Sequence, residues 1–473
     1  MVRAKLLIDR GARDEALQFL EHSTEVFEQS SQLKAEAARF LFGLEEYPMA
    51  VEWLKRGGIA EFDESTVFQW SDEIEQSGDR SLAMELLEIF LDLGSHLDKH
   101  DPSETHFRIA RLYRMLGDTD AAVEHVLLCL ETGNYPNVLS MLCSMNSERE
   151  KELLLDRVDR LSEVAEMPGH CANRLNFAIA DIHKLNNDYS KAAIHIGKVR
   201  DDFESKGEAP SGSNQLKPAF LVIGTMKSGT TGFYHTLCQH PQIHAAIKKE
   251  VRYFSNRHAN EDWYFAHFPK LADGQFGITG EATPNYYAMN VHGRIRETLS
   301  DVKLICLLRD PAERAISQYF HGLAHGNIKR PIDQFYGQAE LERFAGKSDD
   351  ELERIAYAVG EGNRDFNSNL TYGLYVHFLR KWFREFDAQQ ILLLNFEEFK
   401  QNQDATISKT CDFLGIAPTG PLGLKKQFRG NYDHSDESVK RVLHRLREFY
   451  EVPNRKLFQE FGIRFDTLQT GSE

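Results

Sequence analysis

The chain has 473 residues, a formal net charge of −16 at neutral pH, and 41% hydrophobic and 27% charged residues. Single cores rarely exceed about 250 residues, so two folding units are expected. The acidity argues against a general affinity for nucleic acid, and no apolar run approaches the roughly 18 residues that a membrane span needs. The N-terminus, MVRAKLLIDRGARDEALQF, breaks its apolar residues with charges every few positions and lacks the apolar core of a signal peptide, so a cytosolic location is expected. Cys129, Cys143, Cys171, Cys238, Cys306 and Cys411 are scattered without a CxxC pair, which reads as reduced thiols and not as a metal or redox site.

Residues 1–204 read as helical throughout. Five segments place a turn residue five or six positions before an alanine, followed by an apolar helical stripe: GARDEA at Ala16, LEEYPMA at Ala50, GDRSLA at Ala83, GDTDAA at Ala122 and NDYSKA at Ala192. The spacings are 34, 33, 39 and 70, the last about twice the others. In the best copy, His106 to Glu131, Ala110 and Ala122 let two antiparallel helices approach and Gly117-Asp118 turns between them. This segment resembles a tetratricopeptide repeat, whose period is about 34 residues, and a degenerate sixth copy is expected in the long gap. Such an array offers a surface for a protein partner, for dimerisation or for rigid support. Residues 1–217 hold 24 basic and 40 acidic side chains against 32 of each in the remainder, so the excess negative charge lies in this first part.

Residues 205–217, SKGEAPSGSNQLK, are rich in Gly, Ser and Pro and read as a linker. Residues 218–473 then alternate short apolar runs with helical stretches. Phe220 to Ile223, Lys303 to Leu308 and Ile391 to Leu394 read as buried strands, which implies an α/β three-layer domain with a parallel sheet. Ligands of such sheets bind at the carboxyl ends of the strands.

The first strand runs into Gly224-Thr225-Met226-Lys227-Ser228-Gly229-Thr230-Thr231 and then a helix. Glycines let backbone wrap a phosphate, and amides at a helix start donate to its oxygens. A Walker A loop needs Lys directly after its second Gly, whereas Lys227 precedes Gly229 by two. The strand Leu304–Leu308 leads into Arg309-Asp310-Pro311, where a Walker B strand would end in Asp. A magnesium-dependent kinase-like nucleotide enzyme is therefore the weaker reading. Arg309 offers a two-pronged guanidinium at a strand end, and Pro311 suits the first turn of a helix carrying Ser317.

The TMKSGTT loop together with LLRDPAERAISQY resembles the donor-binding motifs of the sulfotransferase family from about Pro218 to Phe465. The resemblance implies a P-loop-like fold and 3′-phosphoadenosine 5′-phosphosulfate as co-substrate, with no metal. It implies that Lys227, Ser228, Gly229, Thr230 and Thr231 hold the 5′-phosphosulfate, and that Arg309 and Ser317 hold the 3′-phosphate. KKEVRYF from Lys248, EATPNYY from Glu281 and YEVPNRKLF from Tyr450 are similar to segments of the heparan sulfate, or carbohydrate, branch. In that branch the Glu of the first segment is the base, which maps onto Glu250. The competing readings are a plain salt bridge from Glu250 to Lys248 or Lys249, and His244 or His258 as base.

Two departures bear on the acceptor. Ala282 stands where the branch carries Lys, so a cationic contact is either missing or supplied elsewhere, with Lys249 the candidate, and the late basic loop has only Phe428-Arg429-Gly430-Asn431-Tyr432, which makes Arg429 a further donor contact. Trp263-Tyr264-Phe265 reads either as a sugar-stacking platform or as core. A hydroxyl of a saccharide or glycolipid is the expected acceptor; a protein side chain and a small metabolite are the alternatives.

Overall fold

The computed structural model describes residues 1–473 except 24–26, 28–29, 95–101, 133–137, 139–140, 142–144, 146, 165–169, 325–326, 419, 421, 423–434 and 466–473. The chain divides into two compact units, Met1–Val199 and Arg200–Glu473.

The first unit is all helical among its described residues, built from Val2–Asp9, Arg13–His22, Ser31–Phe42, Tyr47–Trp53, Glu64–Ser77, Arg80–Gly94, Pro102–Leu116, Thr119–Thr132, Glu148–Val164, His170–Leu185 and most of Tyr189–Ser205. Five of its turns obey one local rule. Gly11, Glu45, Gly78, Gly117 and Asn187 all have positive φ, and each lies five residues before Ala16, Ala50, Ala83, Ala122 or Ala192. A left-handed residue ends a helix by letting the following amides turn back onto its last carbonyls. The Asp118 and Asp188 amides do so, bonding the carbonyls of Tyr113 and His183 at 3.0 Å. The five alanines are all buried, because the next helix packs where a larger side chain would stand. In the gap after Ala122, helix Glu148–Val164 starts on a reciprocal bond pair between Ser147 and Glu150. Much of the remaining expected sixth repeat falls outside the described residues.

The second unit is a three-layer α/β fold. Five parallel strands, β1 (Pro218–Gly224), β2 (Ile243–Ala245), β3 (Ile278–Glu281), β4 (Lys303–Leu308) and β5 (Ile391–Asn395), lie in the order β2-β3-β1-β4-β5. Strand β1 is central because the chain adds β2 and β3 on one side and then crosses to β4 and β5 on the other. Phe220, Val222, Ile305, Leu307, Leu392 and Leu394 pack in one core with Phe233 and Leu237 of helix α1 (Thr230–Leu237) and with Ile407 and Cys411 of Gln403–Leu414. A second core joins helix α2 (Pro311–Ala324) to residues 332–374 and to helix α4 (Glu437–Phe461). Helix α3 (Tyr375–Glu385) buries Phe378, Leu379 and Trp382, and the Trp382 indole donates to the Tyr287 carbonyl at 2.9 Å.

Two details bear on the expected boundary. Residues 200–205 complete the helix begun at Tyr189, and Asn214–Gln215, expected within the linker, pairs antiparallel with Lys270–Leu271. The register sets Gly224 beside Cys306, Leu221 beside Glu281, and Leu308 beside Asn395. The carboxyl ends of four strands therefore open on one edge of the sheet, where an open parallel sheet binds its ligand.

Candidate active site

From Gly224 the chain turns through Thr225–Gly229 into α1. Thr225 ties this loop to β4, its amide and hydroxyl donating to the Leu307 carbonyl at 2.7 and 3.1 Å. The Thr225 hydroxyl also lies 2.6 Å from that of Ser228, and both side chains are buried. Lys227 at φ +67° and Gly229 at φ +74° are left-handed. Two such residues in three make the tight bend by which a loop gathers amides around an anion, and α1 begins directly behind it with the Thr230 and Thr231 amides. Gly229 has a second constraint: a Cβ there would run into the ring of Phe396, the first residue beyond β5.

Arg309 follows β4 and meets this loop. Its guanidinium donates to the Lys227 carbonyl at 3.3 Å and approaches Glu313 at 3.4 Å, and it stands 5.4 Å from the centre of the Phe396 ring. Its Nε is buried without a partner. Burial, followed by the charge of Arg309, holds the Lys227 ammonium below the usual lysine range. Among the described residues no carboxylate pairs with Lys227. Two adjacent cations, a spare buried N–H and a bent loop leave positive potential that a phosphate or sulfate group would neutralise, so these residues fit a phosphosulfate donor. Arg309 is itself held by α3, since the Tyr375 hydroxyl donates to its carbonyl at 2.8 Å. Ser317 is buried on α2, which begins at Pro311 just beyond Arg309.

Glu250 lies in an irregular segment after β2. Lys249 Nζ donates to Glu250 Oε1 at 3.0 Å and to Thr231 Oγ1 at 2.8 Å, so one ammonium joins this carboxylate to the first turn of α1. Arg252 donates to Glu250 Oε2 at 2.8 Å from NH2. Burial alone would raise the Glu250 pKa, but the Arg252 bond and the Lys249 charge outweigh it and hold the carboxylate below its ordinary range. The side chain keeps about a third of its surface open to solvent, so an ionised acceptor of protons is presented to the outside.

The structure thus gathers Lys227, Ser228, Gly229, Thr230, Thr231, Lys249, Glu250 and Arg309 at one edge of the sheet. Of the rival histidines, His244 on β2 lies against Gly277, and His258 is exposed. Of the two readings of Trp263-Tyr264-Phe265, core holds for Trp263 and Tyr264, which are 3% and 0% exposed, with Tyr264 stacked on Tyr253 at 4.3 Å. Ala282 is fully buried and its amide donates to the Lys249 carbonyl at 2.9 Å, so the two segments lie side by side. Arg429 lies outside the described residues. Sequence reasoning missed Phe396 and Tyr375. Phe396 carried a usable signal, its position directly beyond a core strand of a parallel sheet.

Residues 217–449 match the family model described as a sulfotransferase domain. Heparan sulfate glucosamine 3-O-sulfotransferase 3B1 of Homo sapiens is 30% identical over 279 residues, covering 54% of this chain and 66% of that protein. Membrane-associated sulfotransferase kil1 of Dictyostelium discoideum is 28% identical over 307 residues, covering 51% of this chain and 64% of its own. The bifunctional heparan sulfate N-deacetylase/N-sulfotransferase 2 of Homo sapiens is 27% identical over 209 residues, 42% of this chain and 22% of that protein. The chain spans just under two thirds of the first two relatives. No helix among the described residues is long and apolar enough to cross a membrane.

Proposed function

Since the chain belongs to the sulfotransferase family through residues 217–449, we propose that it transfers a sulfuryl group from 3′-phosphoadenosine 5′-phosphosulfate to a hydroxyl of a saccharide or glycolipid. The observation that carries the reading is the double contact of Lys249, which sets the Glu250 carboxylate one side chain away from the Thr231 hydroxyl of the anion loop. The donor supplies the activated sulfuryl group. The chain supplies position and charge.

Loop amides with Ser228, Thr230 and Thr231 would hold the phosphate end, and Arg309 with Ser317 the far phosphate of the nucleotide. Lys227, already short of counter-charge, stabilises negative charge that grows on the oxygen between sulfur and phosphorus. Glu250 takes the proton of the acceptor hydroxyl, and its depressed pKa keeps it ready to do so at neutral pH. The saccharide acceptor is supported by the relatives whose names specify heparan sulfate. A cytosolic location belongs to the same proposal and is tested by fractionating cells that make the protein.

The test is incubation of the full chain with labelled donor and a panel of glycans and glycolipids, read by mass spectrometry. Lys227→Ala should abolish transfer, and Glu250→Gln should abolish transfer while sparing donor binding. Retained transfer in the Lys227 variant, or magnesium-dependent binding of ATP in preference to the sulfate donor, would overturn the reading.

A further inference from the structure

The segment that carries Glu250 has no helix or strand of its own from Ile247 to Tyr253, and Arg252 within it is left-handed at φ +62°. Its carbonyls at 249 and 253 accept from the Ala282 amide and from Arg294, and three amides at its C-terminal end are gathered by a buried carboxylate. Glu281 ends β3 and is fully buried. Its Oε2 accepts the Val251 amide at 3.0 Å and the Thr283 hydroxyl at 2.5 Å, and its Oε1 accepts the hydroxyls of Tyr286 and Tyr264 at 3.1 and 3.2 Å. Two of those hydroxyls pass the hold onward. Thr283 Oγ1 accepts the Arg252 amide at 3.3 Å, and the Tyr286 hydroxyl accepts the Phe254 amide at 3.2 Å. The amides of residues 251, 252 and 254 therefore all end on one carboxylate, directly or through a single hydroxyl.

We propose that Glu281 is a positioning residue for sulfate transfer, fixing the backbone that aims Glu250. The inference rests on the reading of Glu250 as base. Hydrogen-bond counting makes the device sensitive to protonation, because four donors converge on two oxygens, and a proton added to either must displace one of them or reverse one of the three hydroxyl bonds. The groups facing Glu281 are neutral: the Val251 amide, Thr283, Tyr264 on helix Glu261–Phe265, Tyr286 beyond β3, Tyr234 of α1 and Tyr253 against Tyr264. Of the charged side chains around the held segment, Lys249 and Arg252 both bond Glu250, Lys248 is exposed, and Arg294 donates to the Tyr253 carbonyl at 3.1 Å. Burial pushes the Glu281 carboxyl up to about 7, opposed by the bonds from Thr283, Val251 and the two tyrosines. Acidification through neutrality should thus loosen the segment while Glu250 itself stays ionised.

The experiment compares the full chain with Glu281→Gln and Thr283→Val. Hydrogen exchange of peptides covering residues 249–254, corrected for intrinsic rates, is measured at about pH 6 and pH 8, beside kcat and KM for transfer across pH and the affinity for 3′-phosphoadenosine 5′-phosphate. In Glu281→Gln, exchange in this segment should rise by roughly tenfold or more, and kcat should fall roughly ten- to a hundredfold with KM and nucleotide affinity within about twofold. The acid limb of kcat near pH 7 should vanish. Unchanged exchange, or an unchanged kcat with the acid limb intact, overturns the proposal. If Glu281→Gln fails to fold, seen as lost nucleotide binding, Thr283→Val decides: it keeps the carboxylate and cuts only the relay to Arg252, so faster exchange at residues 249–254 supports the proposal and wild-type exchange overturns it. Full transfer by Glu250→Gln would instead refute Glu250 as base, and exchange would still decide whether Glu281 holds the segment.

Discussion

Gly229→Ala tests the loop geometry most sharply, because Gly232 three residues further on serves as an internal control. At φ +74° an alanine costs about 1–2 kcal/mol from its Cβ alone. That Cβ would also drive into the Phe396 ring, with Cδ2 at 2.8 Å, and forcing an aromatic ring out of a packed position adds about 1–3 kcal/mol. The total is a loss of about 2–5 kcal/mol for Gly229→Ala. Gly232 lies inside α1 with nothing within 4 Å of its would-be Cβ, so Gly232→Ala should stabilise by about 0.5–1 kcal/mol. Moving Phe396 also disturbs the ring beside Arg309, so nucleotide affinity should fall in the first variant and hold in the second. Denaturant titration with calorimetric titration of 3′-phosphoadenosine 5′-phosphate reads both quantities. A Gly229→Ala protein as stable as the parent, with unchanged affinity, would refute the packing of Phe396 over the loop.

Stability should also depend on pH through Glu281. Its folded pKa, about 7, lies above the ordinary 4.5, so its contribution is fully present below about pH 4.5 and is lost as pH rises through 7. The unfolding free energy of the parent minus that of Glu281→Gln should fall by about 3 kcal/mol between about pH 4.5 and pH 8, and a flat difference would refute the burial argument. Lys249→Met removes one of the two cations that outweigh burial at Glu250, so the carboxylate pKa should rise and the acid limb of transfer at Glu250 should move to higher pH. Tyr375→Phe takes away the bond to the Arg309 carbonyl; unfolding should cost about 1–2 kcal/mol less, and nucleotide should bind more weakly.

Local rules were legible without a structure. The turn-to-alanine spacing marked five places where a left-handed residue ends a helix, because that geometry depends on a handful of consecutive residues. The strand, Gly-rich loop and helix from Leu221 to Thr231 were legible for the same reason, and the position of Lys227 within them separated this loop from a Walker A loop. Aromatic identity alone left Trp263-Tyr264-Phe265 undecided. Whether a ring faces solvent or core depends on what packs over it, here Tyr253, Phe254 and Phe268.

Amino-acid order by itself determined the helical first part, the parallel α/β second part and an anion loop with its cation. Only tertiary structure decided how distant residues meet at the site. The strand order β2-β3-β1-β4-β5 carries Phe396 onto Gly229 and Arg309 onto the Lys227 carbonyl, although neither pair is near in sequence. It likewise sets the end of β3 beneath an irregular segment, which turns Glu281 from one more acidic residue into the anchor of Glu250's backbone. Strand adjacency is settled by burial summed over the whole sheet, a non-local quantity that no short motif contains.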